Sequence, residues 1–401
     1  MTERAVHVAI QAEGHETLLP LLFRPILHYS LDLAYSLPRR SIAVLAGGRE
    51  ERLRAACREY PELECFGSLQ ALLGSRRGSM LVLAADAPLL RAASVRQMLA
   101  QHADRRAAFT FEADAGAYLF EIEPFRTAVD LARALQSGTT QGMRIDRFRV
   151  EDPREAIRVR DASTLWQAES AMRERVNHAY LAAGVRLRDP GTCFIDPRCR
   201  IAGSVEIEGG VFLVNSKLEA DVRVEAYCRI ADSEIGAGTL VKQGSYIEGS
   251  RVGRACLIGP YAHIRRQSRL ADAVRAGNFV EIKGSQLGEA TKAAHLSYIG
   301  DAQIGRRVNI GCGFITCNSD GSPEKQKTFI EDDVFIGSDS QCVAPVHLGA
   351  GSFIATGTTV VDDVPPEAFA ISRGRQVTKT GYARKYRKGR GGPVASREER
   401  T

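Results

Sequence analysis

Residues 234–259 read EIGAGTLVKQGSYIEGSRVGRACLIG. Ile235, Val241 and Ile247 stand six apart, and after one five-residue step Val252 and Ile258 resume the spacing. Outward toward the amino terminus the same beat returns through Ile230, Val224 and Leu218 to Leu213, Ile207, Ile201 and Ile195. Toward the carboxyl terminus it runs through Ile264, Leu270, Ala276, Ile282, Leu287, Ala293, Ile299, Ile304 and Ile310. It resumes after a break with Ile330, Ile336, Cys342, Leu348, Ile354 and Val360. A period of six is neither a helical stripe nor a simple strand alternation. It is the hexapeptide signature of a left-handed parallel β-helix, in which three short strands close one triangular coil and each aliphatic side chain points inward. About 170 residues at roughly 18 per coil predict about nine coils, enough for a continuous stacked core.

This reading explains two features of the composition together. The chain holds 37 glycines, and aromatics make up only 7% of it. Tight corners favour glycine, which tolerates positive φ. A narrow prism interior admits Ile, Val, Leu, Ala and Cys more readily than large rings. The stretch from Thr316 to Lys327 breaks the period, and insertions in a solenoid project outward, often on a binding face.

The chain has 401 residues, a length that predicts two to three domains. We expect boundaries at 1–161 (an α/β domain), 162–190 (a linking helix), 191–366 (the β-helix) and 367–401 (a basic arm and tail). Apolar runs are too short for a membrane span, and the amino terminus, MTERAVHVAIQAEGHE, has the character of no secretory signal. The nine cysteines are odd in number and form no CxxC pair, which argues against a disulfide scaffold or structural zinc and for a reducing cytoplasm. The net charge of +6 is uneven: residues 373–390 hold eight basic side chains and no acid. Such a stretch suits a solvated tail or an arm that meets a polyanion, for example the phosphates of a coenzyme or nucleotide sugar. No nucleic-acid-binding motif accompanies it, so nucleic acid is not the expected partner.

The first half alternates strand and helix patterns. Strands are expected at Val6–Ile10, Ser41–Leu45 and Met80–Ala84, and helices over Arg24–Tyr35, Glu50–Tyr60 and Ala162–Ala183. This predicts an α/β sheet of Rossmann type, whose ligands gather beyond the carboxyl ends of the strands. Asp86 falls at such an end, where it suits either a metal ligand or a turn acid.

Several longer motifs carry a resemblance. They are 181–190 (LAAGVRLRDP), 277–283 (GNFVEIK), 294–301 (AHLSYIGD), 309–311 (NIG), 315–318 (ITCN), 333–339 (DVFIGSD), 343–346 (VAPV) and 370–373 (AISR). Over nearly the whole prism the chain resembles the bacterial bifunctional N-acetylglucosamine-1-phosphate uridyltransferase/glucosamine-1-phosphate acetyltransferase family. The resemblance implies a homotrimer that binds acetyl-CoA between subunits. Its product, N-acetylglucosamine-1-phosphate, would feed UDP-N-acetylglucosamine synthesis for peptidoglycan and lipopolysaccharide. By the same resemblance His295 is the catalytic base, a role that suits imidazole because it takes up a proton near neutrality. Arg265, Lys283 and Lys325 match phosphate-binding cations, and Tyr298 and Asn309 match further contacts to the amino-sugar phosphate. Asn318, Ser338 and Arg373 match positions around acetyl-CoA. Cys312, Ser319 and Thr356 stand at cofactor-side positions where the family usually carries other residues.

The front half departs further. The family opens with a Gly-rich phosphate loop, whereas residues 9–17 here read AIQAEGHET, without that glycine pattern and without its arginine. Asp86 matches a magnesium ligand of the family, and Asp161 is the nearest candidate for the second. The segment is also short for such a domain. The expectation is therefore an acetyltransferase with a degenerate nucleotidyltransferase-like front domain, needing Mg2+ only if that domain is active; the alternatives are a bifunctional enzyme that retains uridylyl transfer or a non-catalytic trimeric binding scaffold.

Overall fold

The computed structural model describes residues 5–12, 14–105, 107–111, 116–125, 139–140, 143–321 and 323–383. In the front domain, strands β1 (Val6–Gln11), β2 (Arg39–Leu45), β3 (Glu64–Phe66), β4 (Ser79–Ala84), β5 (Ala108–Phe111), β6 (Ala117–Glu121), β7 (Thr139–Thr140) and β8 (Met143–Phe148) form one sheet. Their spatial order is β3-β2-β1-β4-β6-β5-β8-β7. The first four pair in parallel, and β6 runs antiparallel between β4 and β5. Helices α1 (Ile26–Tyr35), α2 (Glu50–Ala56), α3 (Leu69–Ser75) and α4 (Ala92–Arg105) accompany the sheet. The central strands are apolar along their length because both faces are covered: Ile10, Leu81 and Leu83 pack in one cluster, Ala9, Met80 and Val82 in another.

Two expected elements change. Helix α1 starts at Ile26, because Arg24–Pro25 pairs with Pro20–Leu21 as a two-residue hairpin. Helix α2 stops at Ala56, not Tyr60. Tyr60 leaves the helix to set its ring edge-on against His28 at 5.3 Å and to donate its hydroxyl to Asp32 at 2.8 Å.

Helix α5 (Ala162–Ala182) begins at a capping box in which Asp161 accepts from the Thr164 N–H and Thr164 bonds back. It buries Ala168, Ala171, Met172 and Val176 against the base of the prism, in one cluster with Leu21, Leu22 and Ile26 of the front domain.

The second half is a left-handed parallel β-helix with three faces. The first face stacks eleven strands from Arg186–Leu187 to Phe369–Ala370, the second ten, the third nine. The stack is thus longer than the nine coils expected, because two-residue strands at both ends join the ladder although they lack a full hexad. Every aliphatic position of the repeat is buried except Ile201, which is partly covered. Each buries a few kcal/mol of apolar surface, about 1.5–3 per Val, Leu or Ile. The insertion leaves the second face after Cys317, and the third face resumes at Thr328; between them Ser319–Gly321 and Pro323–Lys325 are exposed. No helix among the described residues is long and apolar enough to cross a membrane.

Candidate functional site

The prism edge between the first and second faces carries a column of residues one coil apart. Asn278 and His295 are direct register partners at the ends of the strands Arg275–Asn278 and Lys292–His295. The pairing of Lys292 with Asn309 carries Cys312 to the next rung, and Asn309 with Phe335 carries Ser338 to the one after. Thr356 follows in turn through Phe335 and Phe353. Backbone bonds tie these rungs together: Leu296 N–H to Asn278 O at 3.0 Å, Asp339 N–H to Cys312 O at 2.7 Å, and Gly357 N–H to Ser338 O at 2.9 Å. Close approach sets one residue type here. A side chain at Gly277 would meet the Ala294 carbonyl oxygen at 1.9 Å, so only glycine lets Asn278 lie flat beside His295.

His295 is exposed, and its Nδ1 lies 2.7 Å from Asn278 Oδ1. An amide oxygen only accepts, so Nδ1 carries a proton, and Nε2 is the ring nitrogen without a hydrogen bond among the described residues. The sequence reading gave Asn278 no role. Its signal was present: the 17 positions from Asn278 to His295 are one coil, and one coil means contact.

Around the corner the second face carries the cations. Arg265 pairs in register with Lys283, and Glu281 with Tyr298. The Arg265 Nε donates to Glu281 Oε1 at 2.9 Å, so Arg265 is held by a carboxylate that the sequence reading did not include. Lys283 makes no ion pair among the described residues. Asn318 is buried and donates to Asp301 Oδ2 at 2.6 Å, with the Tyr298 hydroxyl 3.5 Å away. A Cβ at Gly300 would lie 2.5 Å from that hydroxyl, which is why the tyrosine can fold over the strand.

The remaining candidates are distributed. Asn309 is exposed on the first face, so the edge bearing His295 separates it from Lys283 and Tyr298. Lys325 and Ser319 hold each other within the inserted loop, Nζ to Oγ at 2.6 Å. Arg373 donates to the Thr356 carbonyl at 2.5 Å, which fastens the start of the basic arm to the top of the column. The arm from Arg384 onward lies outside the described residues.

All nine cysteines are free. Burial pushes the thiols of Cys228 and Cys256 up to about 11 and that of Cys342 up to about 12, which marks them as inert core fillers. Cys312 and Cys317 are only partly covered.

The front-domain acids are engaged elsewhere. Both Asp86 oxygens accept from Arg158, Oδ1 from Nε at 2.8 Å and Oδ2 from Nη2 at 2.9 Å. Asp161 spends its carboxylate on the cap of α5, and the bonds from Thr164 hold it below the usual carboxylate range. Among the described residues no group of three or more His, Cys, Asp or Glu side chains gathers as a metal site. The side chains present do not fit a divalent cation at Asp86.

A solenoid with an exposed, amide-oriented histidine on one edge stands behind an α/β domain, and the comparisons with known proteins give the class as a transferase. The front of the chain agrees with that class: residues 12–152 match the MobA-like NTP transferase domain. The chain is 31% identical over 463 residues to the bifunctional protein GlmU of Koribacter versatilis, covering 96% of this chain and 98% of that protein. It is 34% identical over 368 residues to the bifunctional protein GlmU of Halalkalibacterium halodurans, covering 79% and 80%. Among solved structures, a nucleotidyl transferase from Methanothermobacter thermautotroptrophicus matches 43% of this chain and 99% of its own, at 15% identity and a TM-score of 0.37. The chain belongs to the GlmU family.

Proposed function

We propose that this protein is an acetyl-CoA-dependent glucosamine-1-phosphate N-acetyltransferase whose working site is the His295 edge, and that its front domain does not transfer uridylyl groups. The observation that carries the first part is the 2.7 Å contact between His295 Nδ1 and Asn278 Oδ1, which fixes the tautomer of a general base.

The chemistry follows from the atoms. The amino nitrogen of the sugar attacks the thioester carbonyl carbon, and a C–N bond forms. His295 Nε2 takes the proton that this nitrogen sheds. The tetrahedral intermediate collapses, the C–S bond breaks, and the coenzyme leaves as a thiolate that receives a proton. The Asn278 carbonyl oxygen stabilises the imidazolium through Nδ1–H. Lys283 and Arg265 supply countercharge for the sugar phosphate, with Tyr298 beside them. Cys312, Ser338, Thr356 and Arg373 line the column along which acetyl-CoA would extend, while Asn318 and Ser319 stand at the other end of the second face, where a neighbouring copy's acetyl-CoA would meet them.

Asn309 and Lys283 lie on faces on either side of the edge, and a site shared between copies uses both. This supports a homotrimer in which one subunit offers the first face and its neighbour the second. A reducing cytoplasm suits nine unpaired thiols.

Purified protein supplied with acetyl-CoA and glucosamine-1-phosphate is expected to release coenzyme thiol. Unchanged turnover in His295→Ala removes the base from this assignment. Family membership and the match over residues 12–152 favour a second reading, in which the uridylyl transfer is retained. Magnesium-dependent pyrophosphate release from UTP and N-acetylglucosamine-1-phosphate, at a rate comparable with acetyl transfer, would establish that reading instead.

A further inference from the structure

The carboxyl edge of the front sheet holds two guanidinium groups in unusual places. Strand β1 lies between β2 and β4, and beyond its end Ala85 N–H bonds to the Gln11 carbonyl at 2.9 Å. Asp86 follows directly. Its backbone carbonyl accepts from Val159 N–H at 2.8 Å, and Val159 is buried. That bond locks the strap carrying Arg158 against Asp86. The side chains then close a two-pronged contact, with only 18% of the carboxylate and 20% of the guanidinium exposed.

A second arginine points the same way. Arg49, at the start of α2, donates through Nη2 to the carbonyl of Ala12 and to that of Gly14 at 3.0 Å. Gly14 O also accepts from the Thr17 hydroxyl at 2.9 Å. A phosphate cradle turns backbone N–H groups toward its ligand. Here two carbonyls of that turn face a cation, the opposite polarity.

We propose that Arg158 permanently takes the place of a divalent cation at Asp86, leaving the front domain a self-neutralised site that binds no metal there. An incoming dication would have to break two charge-assisted hydrogen bonds. It would also meet a guanidinium that cannot shed its charge. The pair satisfies both carboxylate oxygens without metal. This deepens the reading of the front domain given above, but its test is separate from catalysis.

Mn2+ binding to the full chain, followed by the loss of the free-ion electron paramagnetic resonance signal, tests it without nucleotide present. Wild type and Asp86→Asn are expected to bind Mn2+ identically. Arg158→Ala is expected to gain a site at least about tenfold tighter than any in wild type. The double variant is expected to lose it. Mn2+ held by wild type and released in Asp86→Asn overturns the proposal, as does no gain in Arg158→Ala. Acetyl transfer by the variants confirms that they fold, and Arg158→Asn, which keeps a polar group beside Asp86, replaces the alanine variant if that one does not. Pyrophosphate release with no Mn2+ at Asp86 would sink the functional reading and leave this inference standing.

Discussion

The prism and the front domain treat their candidate ionic residues in opposite ways. On the prism edge His295 is exposed and oriented by a neutral amide, and Lys283 makes no ion pair among the described residues. In the front domain Asp86 is closed by Arg158, Asp161 is spent on a helix cap, and Arg49 ties down the turn after β1. His295 and Lys283 are positioned without an ion pair among the described residues, although Arg265 beside them is held by Glu281. A group serving only the fold is satisfied by its own chain. The contrast teaches that residues matching in sequence position can still differ in whether their own chain already satisfies them.

Four changes would break or sharpen this contrast. His295→Ala is expected to lower coenzyme release by about 10²–10⁴-fold, the usual worth of a positioned general base. Substitutions at Asp86 should leave that release unchanged, and an equal loss from both would erase the distinction between the halves. Next, Ile282→Ala empties a fully buried prism position and is expected to cost about 2–5 kcal/mol in thermal unfolding. In a stacked solenoid the loosening should stay local, so hydrogen exchange is expected to rise in the neighbouring coils and not in the front sheet. Protection lost uniformly across both halves would show that they unfold as one.

Asn278→Ala should reduce kcat by roughly 10–100-fold while leaving the KM for acetyl-CoA near its original value, because it removes the orientation of the base and not a ligand contact. A large KM effect with unchanged kcat would reassign Asn278 to binding. The smallest effect concerns the thiols. At pH 8, thiols pushed up to about 11 or 12 are ionised to roughly a thousandth or less, so alkylation of native protein should reach Cys312 and Cys317 well before Cys228, Cys256 and Cys342. Acetyl-CoA should slow labelling at Cys312 if that residue borders the thioester. Equal labelling of all five would show that the coils open readily.

The prism was legible because its code is local and repeated. Each hexad states its own buried residue, so Ile235, Val241 and Ile247 can be assigned without knowing what touches them, and all are fully buried. The front domain was only partly legible. Ile10 and Leu83 belong to clear apolar runs, but β3, α3, α4 and β5 to β8 have no counterpart in the sequence reading, and the end of α2 depends on where Tyr60 finds His28 and Asp32. Such partners are 28 and more positions away in sequence and leave no periodic trace.

By itself the sequence determined the solenoid, the buried face of every coil and the residues that resemble a transferase site, because a fixed period converts position directly into geometry. Tertiary structure alone decided that Arg158 pairs with Asp86 across 72 positions, whereas Asn278 with His295 and Glu281 with Arg265 lie about one coil apart in the repeat. Pairing depends on distances between segments that the chain brings together only by folding. It is those pairings, more than residue identity, that leave His295 exposed beside a neutral amide and Asp86 covered by a guanidinium.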